Sequence, residues 1–376
     1  MLHAGKFYDV DSTTMIPKVP GSLMRQASLK GAPVAAHEYR VLYSSTGMHG
    51  EPVAVSGLVI IPAGAAPTRG WDVVAWAHPT TGVATGCAPS LRDDPFGAIP
   101  GLASLLSRGY VVSATDYPGL GTAGPHPYLV GVSEGRAVLD LLRAERALPN
   151  ERIGTRFAVW GHSQGGHAAF FAGELAQSYA PEFTLVGVGA AAPATDLGLL
   201  LNDDMRSVAG HVLMSFAVWS WMRVYDAPAT NFVVPEKLHV VDSVAQHCIV
   251  TYREAYHAGV AAVPLDGAFL TYEPDTLQPW RDLMERNRPG AVATPAPIFI
   301  AQGTTDIIVD PAVTYAFAQH LCSLGMRVRY VSMPEVPHEA AATSAAPMMV
   351  DWMTARFSGN TAATDCGVIG TAAGAP

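Results

Sequence analysis

Short apolar, β-rich runs alternate with amphipathic stretches along most of this chain. The runs fall at 37–45, 53–61, 71–77, 110–115, 157–161, 185–190, 298–302 and 328–332. Between them, residues 132–147, 166–179, 311–324 and 345–357 carry helical spacing. This alternation predicts an α/β fold with a mostly parallel sheet covered by helices. Within 131–147 the apolar positions Val132, Ala137, Val138, Leu141 and Leu142 share one face, and Arg136, Asp140, Arg143 and Glu145 sit opposite. That spacing predicts a sheet-covering helix.

Between Pro193 and Pro295 the alternation stops. A stretch of about 100 residues is far too long for a loop and predicts a folded insertion. Its patterns read as helices at 196–225, 241–258 and 275–287. The first is crowded with Leu199, Leu200, Leu201, Met205, Val212, Leu213, Met214, Phe216, Trp219, Trp221 and Met222. Most of these would build the insertion's own core, while a minority would line an apolar channel above the C-terminal edge of the sheet. The expected organisation is a core in two parts, 1–193 and 294–376, around a helical cap at 194–293. No internal repeat is present, and the small-residue tail at 367–376 is the one low-complexity tract.

A chain of 376 residues with 49% apolar and 15% charged residues can bury a large core. Its 23 basic and 32 acidic residues give a net charge of −9. That balance argues against nucleic acid or an anionic membrane as partner, because both require a basic face. It suits an uncharged small molecule such as an ester or amide better than a carboxylate. No apolar run reaches the length of a membrane span; the nearest, 212–221, is short and contains Ser215 and Ser220. Residues 1–21 hold Lys6, Asp9, Asp11 and Lys18 without a continuous apolar core, so they do not read as a signal peptide. Export would make this chain a mature form. Cys87, Cys248, Cys322 and Cys366 have no C-x-x-C spacing, and no metal site is expected. Two disulfides in any of three connectivities, or four buried thiols, are consistent with the spacing alone.

The candidate chemistry starts at Gly161-His162-Ser163-Gln164-Gly165. An apolar strand leads into this G-x-S-x-G stretch and a small-residue helix leaves it, which is the setting of a nucleophile elbow in an α/β-hydrolase fold. A serine hydroxyl needs a general base, and the base needs an orienting acid. In this fold the order is serine, acid, histidine. Asp306 turns off the end of the 298–302 strand and is the expected acid; Asp310, before Pro311, looks like a helix cap. His338 follows the 328–332 strand and is the expected base, since His320 lies inside a predicted helix. An oxyanion requires two aimed N–H groups. Gln164 would supply one, and Thr80, with Thr81 as alternate, the other, from His78-Pro79-Thr80-Thr81-Gly82 after the 71–77 strand. Pro79 has no N–H to give. Tyr117, His162, His167 and Thr81 are expected to pack or to contact substrate.

Taken together these segments resemble the secretory lipase family of exported lipases and esterases. The matching pieces are 78–82, Cys87-Ala88-Pro89-Ser90, 116–121, His126-Pro127-Tyr128, 161–166, 303–306 and Pro337-His338-Glu339. The resemblance implies carboxylic-ester hydrolysis by Ser163, Asp306 and His338 beneath a helical cap, on apolar acyl esters or lipids and without a cofactor. It also implies disulfides Cys87–Cys248 and Cys322–Cys366, and with them a secreted or periplasmic location. An acyltransferase or amidase would use the same triad, and a non-catalytic binding protein could retain the same fold.

Overall fold

The computed structural model describes residues 4–10, 15–205, 207–229, 232–267 and 269–369. Nine strands form one sheet: β1 (Leu23–Ser28), β2 (Ala36–Thr46), β3 (Pro52–Pro62), β4 (Trp71–Ala77), β5 (Tyr110–Thr115), β6 (Ile153–His162), β7 (Thr184–Ala191), β8 (Ile298–Gly303) and β9 (Val328–Met333). The spatial order is β1-β2-β3-β5-β4-β6-β7-β8-β9. Pairing is antiparallel from β1 through β3 to β5 and parallel from there to β9. The mostly parallel α/β sheet expected from the alternation is therefore present. β1 was not anticipated, because its half-exposed Leu-Met-Arg-Gln-Ala-Ser offers little alternation and its register comes from β2.

The helices divide between the two faces. Short α1 (Ala4–Tyr8) and α2 (Leu102–Ser107) precede α3 (Gly131–Glu145) and α4 (Gln164–Tyr179). The segment between β7 and β8 contains α5 (Leu197–Asp204), α6 (Val208–Val224), α7 (Leu238–Val244), α8 (Tyr252–Ala262) and α9 (Trp280–Arg286). After β8 come α10 (Pro311–Ser323), α11 (Ala341–Phe357) and α12 (Cys366–Ile369). α3, α4 and α10 cover one face of the sheet. α2, α11 and the β7–β8 helices share an apolar cluster with the other, in which Trp76 and Trp160 of the sheet join Phe216, Trp221 and Trp280.

Three predicted helices differ from those observed. The stretch at 196–225 is broken, since Ser207 starts α6 by accepting the Gly210 N–H at 2.9 Å. The stretch at 241–258 also breaks: Thr251 and Glu254 form a reciprocal capping box that opens α8. At 275–287 the regular helix begins only after Pro279. α3 is the expected sheet-covering helix, and on its charged face Asp140 and Glu145 are fully buried where it packs on the sheet and against α4, while Arg136 and Arg143 are half-buried. Asp140 accepts from Ser45 Oγ at 2.7 Å and Tyr179 OH at 2.9 Å, and Glu145 accepts from Ser113 Oγ.

Disulfides join Cys87 to Cys248 and Cys322 to Cys366. The first ties the loop after β4 to the α7–α8 connection, and the second pins α12 to α10. No helix of the described residues is long and apolar enough to cross a membrane.

Candidate active site

β6 delivers Ser163 at a turn where the serine adopts φ 56° and ψ −119°. A residue with a Cβ is strained there by about 1–3 kcal/mol. The two glycines make the turn sterically possible. A Cβ on Gly161 would lie 2.1 Å from the Gly165 carbonyl oxygen, and one on Gly165 would lie 1.9 Å from that of Ala77. The strained peptide is anchored on both sides. Ser163 N–H donates to Ala191 C=O at 3.0 Å, and Ser163 C=O accepts from the N–H groups of His167 and Ala194 at 3.1 and 3.2 Å.

The turns after β8 and β9 bring Asp306 and His338 to this serine. His338 Nε2 is 3.0 Å from Ser163 Oγ, and His338 Nδ1 is 2.8 Å from Asp306 Oδ2. Asp306 Oδ1 accepts the backbone N–H groups of Ile308 and Val309 at 3.0 and 2.8 Å. Burial by itself would raise the Asp306 pKa. The hydrogen bond and charge of His338, with the Val309 and Ile308 N–H groups, outweigh it and hold the carboxyl below its ordinary value. The rival residues are engaged elsewhere: Asp310 caps α10 through the Ala312 N–H at 2.8 Å, and His320 Nε2 meets Gly290 C=O at 3.0 Å.

A cavity of about 940 Å³ opens above the serine. Ser163, His338, His162, Thr80, Thr81 and Asp116 line it from the sheet side, and Val208, Val212, Leu213 and Ile249 from the β7–β8 segment. The loop after β4 is stitched to that segment by the Ile249 N–H donating to Thr81 C=O at 2.9 Å, one residue from the Cys87–Cys248 bridge. Thr80 Oγ1 meets Tyr128 OH at 3.0 Å. The backbone N–H groups of Thr80, Thr81 and Gln164 make no hydrogen bond among the described residues. For Gln164 this follows from its place in the first turn of α4.

The remaining expected contacts separate. His162 lines the cavity with its ring 4.8 Å from that of His338. Burial first, and then the proximity of His338, push its pKa down to about 3, so the ring is neutral and its Nε2 is buried without a partner. Tyr117 does not line the cavity. It is fully buried, packs 4.4 Å from the His78 ring and donates its hydroxyl to His78 C=O at 3.2 Å, so packing rather than substrate contact explains it. His167 is likewise buried away from the cavity.

Sequence reasoning missed several polar residues around the site. Gln302, at the end of β8, donates to Asp306 Oδ2 at 3.0 Å and is held in turn by Thr314 Oγ1 at 2.8 Å. Glu134, His126 and Asn287 gather behind the elbow. Their one signal was His126, already part of a recognised motif but with no role attached.

The secretory lipase family profile matches residues 100–365. The chain is 28% identical over 374 residues to the "Probable inactive lipase MT1628" of Mycobacterium tuberculosis, covering 91% of this chain and 79% of that one. It is 26% identical over 390 residues to lipase A of Arthroderma benhamiae, covering 92% and 78%. Its fold matches that of Candida antarctica lipase A with a TM-score of 0.76 at 18% identity, over 98% of this chain and 89% of that one.

Proposed function

The chain belongs to the secretory lipase family, and on that premise we propose that it is a serine carboxylic-ester hydrolase working through an acyl-serine intermediate. The observation that carries this reading is the continuous path Ser163 Oγ–His338 Nε2 at 3.0 Å and His338 Nδ1–Asp306 Oδ2 at 2.8 Å. Ser163 Oγ attacks the ester carbonyl as His338 Nε2 takes its proton. His338 then gives that proton to the leaving alcohol. Water repeats the sequence on the acyl-enzyme and releases the acid. Asp306 orients the imidazole and stabilises its charged form. The free N–H groups of Gln164 and Thr80, with Thr81 as the alternate, receive the oxyanion. No step requires a metal or cofactor.

The substrate is a small-molecule ester or lipid with an apolar acyl group, supported by the walls of Val208, Val212, Leu213 and Ile249 beside the serine. In this reading residues 194–293 act as a cap over the core, residues 1–193 and 294–376. The family and the two disulfides support export to an oxidising compartment. One relative bears the name of an inactive lipase; the hydrogen-bonded order of the three side chains here supports activity.

The test is hydrolysis of p-nitrophenyl esters from acetyl to palmitoyl, with Ser163→Ala alongside. Activity that vanishes in the variant is expected, with a preference for longer acyl chains. Activity retained by Ser163→Ala would overturn the mechanism. The same apolar walls favour acyl transfer to an added alcohol as a second reading. The ratio of acid to new ester in that assay separates the two.

A further inference from the structure

The side chain of Gln164 turns away from the cavity and ends a buried hydrogen-bond chain that reaches into the β7–β8 segment. Both hydrogens of its amide are used: Nε2 donates to Glu134 Oε1 at 2.7 Å and to His126 Nε2 at 3.1 Å. His126 can accept because its Nδ1–H donates to Pro118 C=O at 2.8 Å, and burial lowers its pKa to about 4, leaving the ring neutral. Glu134, fully buried, also accepts the Leu129 N–H at 3.0 Å and faces His167 Nδ1 at 2.8 Å. His167 Nε2–H donates to Asn287 C=O at 2.7 Å. Asn287 closes α9 and accepts the Gly131 N–H of α3 at 3.1 Å.

The amide is only partly satisfied, so its burial is not free. Gln164 Oε1 is buried without a partner, while its Nε2 is the group that satisfies the buried His126 Nε2. What the arrangement achieves is direction. Gln164 is the residue after the nucleophile, and its unpaired N–H points wherever its own Cα and the preceding peptide are held. An amide clamped by two acceptors on separate segments, 30 and 38 residues away, fixes that Cα against the strained serine.

We infer that Glu134, backed by His167 and Asn287, is a positioning residue that aims the Gln164 N–H at the oxyanion. The inference rests on the serine mechanism above. Gln164→Met keeps the backbone donor and the side-chain length but loses both clamps, and Glu134→Gln weakens the clamp from the other end. In the full-length protein each is expected to lower kcat on a short soluble p-nitrophenyl ester about tenfold, with KM within about twofold. That is less than the ~10²–10³ seen when an oxyanion donor is deleted, because a misaimed N–H keeps part of its effect. Affinity for a trifluoromethyl ketone, which adds to the serine as a tetrahedral species, should fall by the same factor as kcat/KM.

A folded Gln164→Met enzyme with unchanged kcat, or with a raised KM alone, overturns the positioning role even if its thermal stability drops. Should Glu134→Gln fail to fold, Gln164→Met decides alone, since it leaves Glu134 its Leu129 and His167 partners. Ser163→Ala is run in parallel. If that variant is inactive while Gln164→Met is unchanged, the serine mechanism stands and this proposal falls. If it stays active, both fall.

Discussion

Gln302 Nε2 donates to Asp306 Oδ2 at 3.0 Å, on the same oxygen that faces His338 Nδ1 at 2.8 Å. With the Ile308 and Val309 N–H groups on Oδ1, every direction around the carboxylate is filled by a donor. Asp306→Asn would aim an NH₂ at one of those donors or present the wrong tautomer demand to His338. A fall of about 10⁴ in kcat with an intact fold is expected. Steady-state kinetics with circular dichroism would check it, and a loss under about tenfold would remove Asp306 from the proposed triad.

The same carboxyl makes stability sensitive to acid. Its folded pKa lies below its unfolded one, so its contribution is complete above the ordinary carboxyl range. That contribution is lost as pH falls through the folded value. Urea melts at falling pH should therefore lose midpoint, and Asp306→Asn should flatten that acid limb.

Glu145 has the opposite sign. Burial raises its pKa to about 8, against the Ser113 hydroxyl and the charge of Arg146. The folded protein keeps the proton that the unfolded chain releases near pH 4.5, so stability falls between about pH 4.5 and 8 by at most ~1.4 kcal/mol per pH unit. Glu145→Gln should match the unmodified protein at pH 4–5 and exceed it at pH 8. Identical urea midpoints at pH 8 would show that this carboxyl is ionised in the fold.

The two disulfides should be separable. Removing either is expected to cost about 2–4 kcal/mol in denaturant melts. Cys87→Ser should also depress esterase activity at temperatures where it remains folded, since Cys87–Cys248 holds the loop that bears Thr80 and Thr81 to the α7–α8 connection. Cys322→Ser, which frees only α12 from α10, should not. Equal activity losses would mean that the Cys87 bridge has no particular bearing on the site.

Val212 lies on the cavity wall contributed by α6 and is buried. Val212→Phe should lower kcat/KM for palmitoyl relative to butyryl ester about tenfold or more, in the range a few methylenes of pocket space command. A uniform change across all chain lengths would place the acyl group elsewhere.

The elbow was legible because its requirement is local. Gly161 and Gly165 are needed by sterics within a few residues of Ser163, and strand–turn–helix flanks supplied the context. Asp306 and His338 were legible because each follows a strand whose apolar run marks it, in an order the fold imposes. The burial of Asp140 and Glu145 was not legible. Periodicity identifies one buried face per helix, whereas α3 packs both on the sheet and against α4 and buries polar side chains as well. The breaks at Ser207 and Thr251 were not legible from apolar spacing, because what marks them is the side-chain hydrogen bonds by which these residues cap the starts of α6 and α8.

The sequence by itself therefore determined eight of the sheet's nine strands, the strained serine turn and the three side chains at strand ends, all consequences of short-range sterics and apolar spacing. Only the tertiary structure decided what surrounds them: Gln302 on Asp306, and Glu134, His126 and Asn287 behind Gln164. Hydrogen-bond partners such as Gly131 and Asn287 stand 156 residues apart in the chain. No local pattern marks such a pair, because a buried polar group is tolerated only once the folded chain has brought its partner into place.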